Sequence, residues 1–166
     1  MSSLLAAVGA TVAALLETTI VPHLVVAGAH PHLVLVLGVV WTVAAGVENG
    51  LVWAFAGGLA LDIFAQRPIG SSAFALLVSI GGAAVVAPLF SRARRVAPVP
   101  LVFLFSFVNS LLLLLVYGAL RAPVPAPDVI PTLLPGVLYD TVIAALIGPL
   151  AISARDRHVD QERADW

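Results

Sequence analysis

Six long apolar runs follow one another in this chain, separated by breaks so short that little sequence is left over for a water-facing layer. They cover about residues 3–21, 31–47, 50–64, 71–90, 99–120 and 131–152. Most approach the ~20 residues that a helix needs to cross a hydrocarbon core. The apolar stretches are continuous, whereas the strands of a membrane barrel alternate apolar and polar residues. Backbone polar groups in lipid must then be satisfied within each segment, which makes the spans helical. Composition points the same way. The chain is 61% hydrophobic and 10% charged with a mean hydropathy of +1.08, where a soluble domain carries roughly a quarter charged residues. The fold class is an all-α integral membrane protein with six transmembrane helices.

The split between the second and third spans rests on Glu48 and Asn49 alone. Arginine placement supports six spans. All eight basic residues are arginine, and with both termini cytoplasmic the inner side holds Arg92, Arg94, Arg95, Arg155, Arg157 and Arg163. Only Arg67 and Arg121 then lie outside, in keeping with the positive-inside bias of short loops. Five spans would put the two arginine clusters on opposite sides. The first apolar run has no basic residues ahead of it, so it is expected to be a retained helix rather than a cleaved signal. Residues 1–153 form one transmembrane domain, and 154–166 a short charged cytoplasmic tail expected to be unstructured. The proline-rich connection "RAPVPAPDVIP" should be extended on the outer face, either as a stiff linker or as a docking edge.

Charges inside a span cost a few kcal/mol even on insertion scales, so each is informative. Glu17 falls about one turn from the outer end of the first span, and Asp62 near the outer end of the third. Asp140 is about ten residues into the sixth span and Asn109 about ten into the fifth, so the two could meet near mid-membrane, with Tyr139 or Tyr117 supplying a hydroxyl. Small residues every four positions accompany the acids: Gly50, Ala54, Gly58 and Asp62, then Gly136, Asp140, Ala144 and Gly148. A third stripe, Ala6, Ala10, Ala14 and Thr18, runs along the first span. Such spacing lets helix backbones approach closely, and it turns the aspartates toward other helices. Asp62 can fold back on the turn at Gln66–Gly70. For Asp140 a structural and a functional role both stay open, a proton relay among them.

His23, His30 and His32 share the first outer loop, but no reliably placed carboxylate or thiolate joins them to complete a metal site. Histidines at the membrane surface are the expectation. Cysteine is absent, and no phosphate loop, zinc-protease motif or nucleophile elbow occurs. The reading is non-enzymatic, without cofactor, metal or nucleic-acid partner.

In order and motif the chain resembles the rod shape-determining MreD family. "ALLETTIVPHL" opens it and "PHLVLVLGVVW" follows. Then "AFAGGLALDIFAQRPIGSSAFALLV" is similar to the family's strongest signature, a Gly-Leu-x-x-Asp helix end, a short turn and Pro-x-Gly opening the next span. "FVNSLLLLLVYGAL" and "LPGVLYDTVIAALIGPL" also resemble family segments. The family often has an amide where this chain has Glu17. The resemblance implies a bacterial inner-membrane scaffold of the cell-elongation machinery that binds the bitopic protein MreC. It would help to link MreB filaments to the RodA-type glycosyltransferase and penicillin-binding protein that build side-wall peptidoglycan. It implies no catalytic residues, and a fold similar to the six-helix substrate-binding subunits of energy-coupling-factor transporters. The sites to inspect are an outward-facing pocket near Glu17, Asp62 and the Arg67, Pro68 and Gly70 turn, bulk-sensitive packing at Gly57 and Gly58, and the Ala6, Ala10, Ala14 face of the first span as a surface for a partner helix. The alternative implied is a transporter-like subunit that holds a small molecule or lipid headgroup.

Overall fold

A computed structural model of the chain describes residues 2–25, 29–93, 96–120 and 129–164. Among them are six α-helices: α1 (Ser2–Thr19), α2 (Leu33–Ala45), α3 (Val47–Phe64), α4 (Ser71–Val86), α5 (Pro98–Ala119) and α6 (Val129–Ala164). Short 3-10 turns follow α1 at Val21–His23 and α4 at Ala87–Ala93. Five of the α-helices, all but α2, are long and apolar enough to cross a membrane.

α2 is the exception and the hub. At 13 residues it is roughly 20 Å long, shorter than the 31–47 span the sequence suggested. It nonetheless touches all five other α-helices. These form an arc around it in the order α1, α3, α4, α5, α6, open between α1 and α6. Val34, Leu35, Val36 and Val39 of α2 are fully enclosed. A helix surrounded by protein need not reach both lipid interfaces, because its backbone ends can be satisfied by neighbours.

The break between α2 and α3 falls two residues before the polar pair that suggested it. Gly46 takes φ 92°, a value that favours glycine, and it ends α2 and starts α3 at a single residue. Glu48 and Asn49 lie within the first turn of α3, where an acid suits the helix dipole. The tail also departs from expectation: α6 continues without interruption to Ala164. Extending an existing helix avoids the cost of nucleation, and the tail includes the helix formers Ala154, Arg155, Arg157, Gln161, Glu162 and Arg163. Residues 121–128 of the proline-rich connection are outside the described residues, and its last part already belongs to α6.

The small-residue stripes pack inside the chain. Ala6, Ala10 and Ala14 are fully buried, with Ala10 against α3 at Gly57, where an added Cβ would come 3.2 Å from the Ala10 Cβ and 2.6 Å from Val34 Cγ1. The face expected to await a partner helix is therefore used internally. The opposite side of α1, with Leu4, Leu5, Val8 and Val12, is the exposed one. At Gly58 a Cβ would run into the backbone of Ala73, so α3 and α4 meet main chain to main chain at this point.

Candidate functional site

α3 ends at Phe64 and α4 begins at Ser71, leaving a six-residue turn with Asp62 one turn before it. Gly70 sits at φ 95° as the residue preceding α4. The first N–H groups of any helix lack intrahelical partners. Here Asp62 supplies them: its carboxylate accepts from Gly70 N at 2.7 Å, Ser72 N at 2.9 Å and Ser71 Oγ at 3.1 Å. The turn is also drawn back by its main chain, with Arg67 N donating to Asp62 O and Ser71 N to Pro68 O. Pro68 itself is exposed. Asp62 is 1% exposed, so this carboxylate is fully occupied in capping α4.

The second site is assembled from five helices. α2 begins beside Asp140, about a third of the way along α6. Asp140 lies roughly 15 Å along α6 from its first residue and is fully buried. It accepts from His32 N at 2.7 Å through one oxygen. The other oxygen pairs with His32 Nδ1 at 2.9 Å and accepts from Ser106 Oγ of α5. Glu17 of α1 approaches the same helix start, where Val34 N donates to its Oε2 at 2.8 Å. Trp53 Nε1 of α3 donates to Val34 O at 2.9 Å. Two acids from distant parts of the chain thus cap the start of α2, where its dipole favours negative charge.

His32 stands in the connection before α2, half-buried. Of the three loop histidines, His23 and His30 are exposed while His32 is a bundle residue. The proline before it and the apolar run after it are the signals that place it at a helix start. Among the described residues no group of three His, Cys, Asp or Glu side chains converges as a metal site.

The meeting of Asn109 and Asp140 expected from depth does not occur. Ser106, one turn earlier on α5, faces Asp140 instead. Asn109 is 3% exposed and its Oδ1 has no hydrogen-bond partner among the described residues. Tyr117 is likewise without a partner for its hydroxyl, and Tyr139 is half-buried beside Asp140 in sequence without serving it. Depth along two helices fixes the level of a residue but not its rotation, and a rotation error of one turn position redirects the side chain.

A cavity of about 280 Å³ opens between the ends of α1 and α3, lined among others by Glu17, His32, Leu61, Phe64 and Arg67. A larger groove of about 600 Å³ lies on the open side of the arc, where Leu5 and Gly9 of α1 face Ile147, Ala151 and Ala154 of α6 across Trp41 of α2. Trp41 stacks on Trp53 there, with ring centroids 5.7 Å apart.

A bundle with five span-length apolar helices and acids spent on helix starts defines a multi-pass helical membrane protein. The family model described as rod shape-determining protein MreD matches residues 2–150, nearly the whole chain, and the chain belongs to that family. No curated protein and no solved structure matches it.

Proposed function

We propose that this chain is a non-enzymatic scaffold of the bacterial elongation complex in the inner membrane, holding MreC and through it the machinery of side-wall peptidoglycan synthesis. Membership of the rod shape-determining family over residues 2–150 is the observation that carries this reading. The geometry supports it in a second way. Asp62 and Asp140 are used to fix helix starts, so the polar groups of the membrane interior serve shape.

In this proposal α2 completes a sixth crossing as an enclosed helix, both termini are cytoplasmic, and the six-against-two division of arginines orients the bundle. A likeness to the substrate-binding subunits of energy-coupling-factor transporters belongs to the same proposal. We place the single membrane helix of MreC in the groove between α1 and α6. Gly9, Ala44, Ala45, Ala151 and Ala154 line that groove, and small residues let a helix backbone approach closely. The MreB filaments, the glycosyltransferase and the penicillin-binding protein join through this contact.

Affinity purification from native membrane tests the reading. MreC should travel with the wild-type chain and fall about tenfold with Ala151→Trp, while Val85→Trp, on a lipid-facing side of α4, leaves it unchanged. Equal recovery of MreC with Ala151→Trp would remove the groove as the docking face, and its absence from the wild-type preparation would remove the scaffold reading. A transporter-like binding subunit, the rival suggested by the 280 Å³ cavity, would instead retain a specific ligand through purification and lose it on substitution of Asp62 or Asp140.

A further inference from the structure

The cavity between the ends of α1 and α3 has charge on both sides that the fold does not use up. Glu17 spends Oε2 on Val34 N, and among the described residues Oε1 takes no hydrogen bond. Arg67 offers five donors in a planar fork. Among the described residues its guanidinium makes one hydrogen bond, a long one of 3.4 Å from Nη1 to Ser72 Oγ. The two groups line the same cavity, yet the ion pair formed among the described residues is His32–Asp140, not Arg67–Glu17. His32 presents its ring to the cavity with Nδ1 already committed to Asp140.

Beside Thr18 and His30, the rest of the lining is apolar, with Val21, Pro22, Leu61 and Phe64. The neighbouring surface is apolar too: Ile20 is 48% and Ile69 80% exposed. Below the cavity a space of about 10 Å³, the size of one water, shares Glu17, His32, Leu61 and Arg67 with it and is also lined by Asn109. Asn109, which borders that space, has no hydrogen-bond partner for its Oδ1 among the described residues. A volume of about 280 Å³ is small for a drug-sized ligand, for which ~300–1,000 Å³ is usual. It suits a compact headgroup whose tail stays outside in lipid.

A half-used cation, a half-used anion and an apolar rim within one small cavity describe a zwitterion attached to a hydrocarbon. We propose that this cavity binds the headgroup of a membrane aminophospholipid, with its phosphate on Arg67 and its primary ammonium on Glu17. The phosphate takes paired N–H bonds from the guanidinium fork. The ammonium donates to Glu17 Oε1 and, through one water, toward Asn109. The acyl chains lie over Ile20, Phe64 and Ile69. This site stands independently of the scaffold role, since the MreC groove is lined by other residues.

Native mass spectrometry of the full chain in an equal mixture of phosphatidylethanolamine, phosphatidylcholine and phosphatidylglycerol tests it. One bound phosphatidylethanolamine should survive delipidation at about tenfold excess over either competitor, because choline has no N–H donor and glycerol no positive charge. Glu17→Gln keeps an acceptor for Val34 N and should lower ethanolamine retention to the choline level. Arg67→Gln lies in the turn and should lose ethanolamine retention without unfolding the bundle, as a melting curve would verify. Equal retention of ethanolamine and choline lipids would overturn the proposal, as would glycerol lipid binding as well as ethanolamine lipid, which is the mark of a simple anion site. Soluble phosphoethanolamine bound in place of any lipid would also overturn it.

Discussion

Asp62 reaches its partners across eight to ten residues of its own chain, while Asp140 reaches His32 across 108. Both carboxylates are buried and both serve N–H groups at or just before a helix start. The local one joins two consecutive helices, whose backbones already meet at Gly58 and Ala73. The distant one joins α6 to the start of α2 and to α5, and with Glu17 it sets the depth at which the central helix begins. The difference lies in what each can disturb. Loosening the first frees a turn, whereas loosening the second releases the helix on which all the others pack.

The strongest test of that contrast is Asp140→Ala against Asp62→Ala. Removing one partner of a buried ion pair typically costs about 3–5 kcal/mol, and here it also strips acceptors from His32 N and Ser106 Oγ. Asp140→Ala should therefore prevent the bundle from being purified as a folded species, or lower its melting temperature more than any other single change considered. Asp62→Ala loses a cap, worth about 1 kcal/mol in ordinary helices, together with two further bonds to a charged acceptor. A loss of roughly 3 kcal/mol is expected. Hydrogen exchange should then rise at the α3–α4 turn and first turn of α4 while α2 stays protected. Equal protection loss in α2 would erase the distinction between a local and a global carboxylate.

The same contrast explains which parts of the molecule were legible in the sequence. The Asp62 turn was, because its donors follow within ten residues and Gly70 marks the backbone change. The helical class was also plain, since a continuous apolar run states its own environment. The capping of α2 was not. Nothing in the neighbourhood of His32 names a residue 108 positions away, and composition gave Ser106 no distinction from other serines. The enclosure of α2 is not legible either, because hydropathy measures how apolar a segment is, and an enclosed helix is as apolar as a lipid-facing one. The alanine stripe of α1 was recognised as a packing face, but spacing cannot say whether the partner is α3 of the same chain or a helix of another.

The smallest effect tests whether the distant site acts as one unit. Ser106 donates to the Asp140 oxygen that also pairs with His32 Nδ1. Interhelical hydrogen bonds within membranes average ~0.6 kcal/mol and reach ~1.7, and a charged acceptor belongs at the upper end. Ser106→Ala should lower stability by roughly 1–1.5 kcal/mol. In the Asp140→Asn background the same substitution should cost clearly less, since the acceptor is no longer charged. A double-mutant cycle reads that difference directly. Additive losses would mean that Ser106 stabilises α5 by packing alone. A coupling would mean that α5 is fastened to the start of α2 through Asp140, which makes the buried carboxylate a junction of three helices rather than the cap of one.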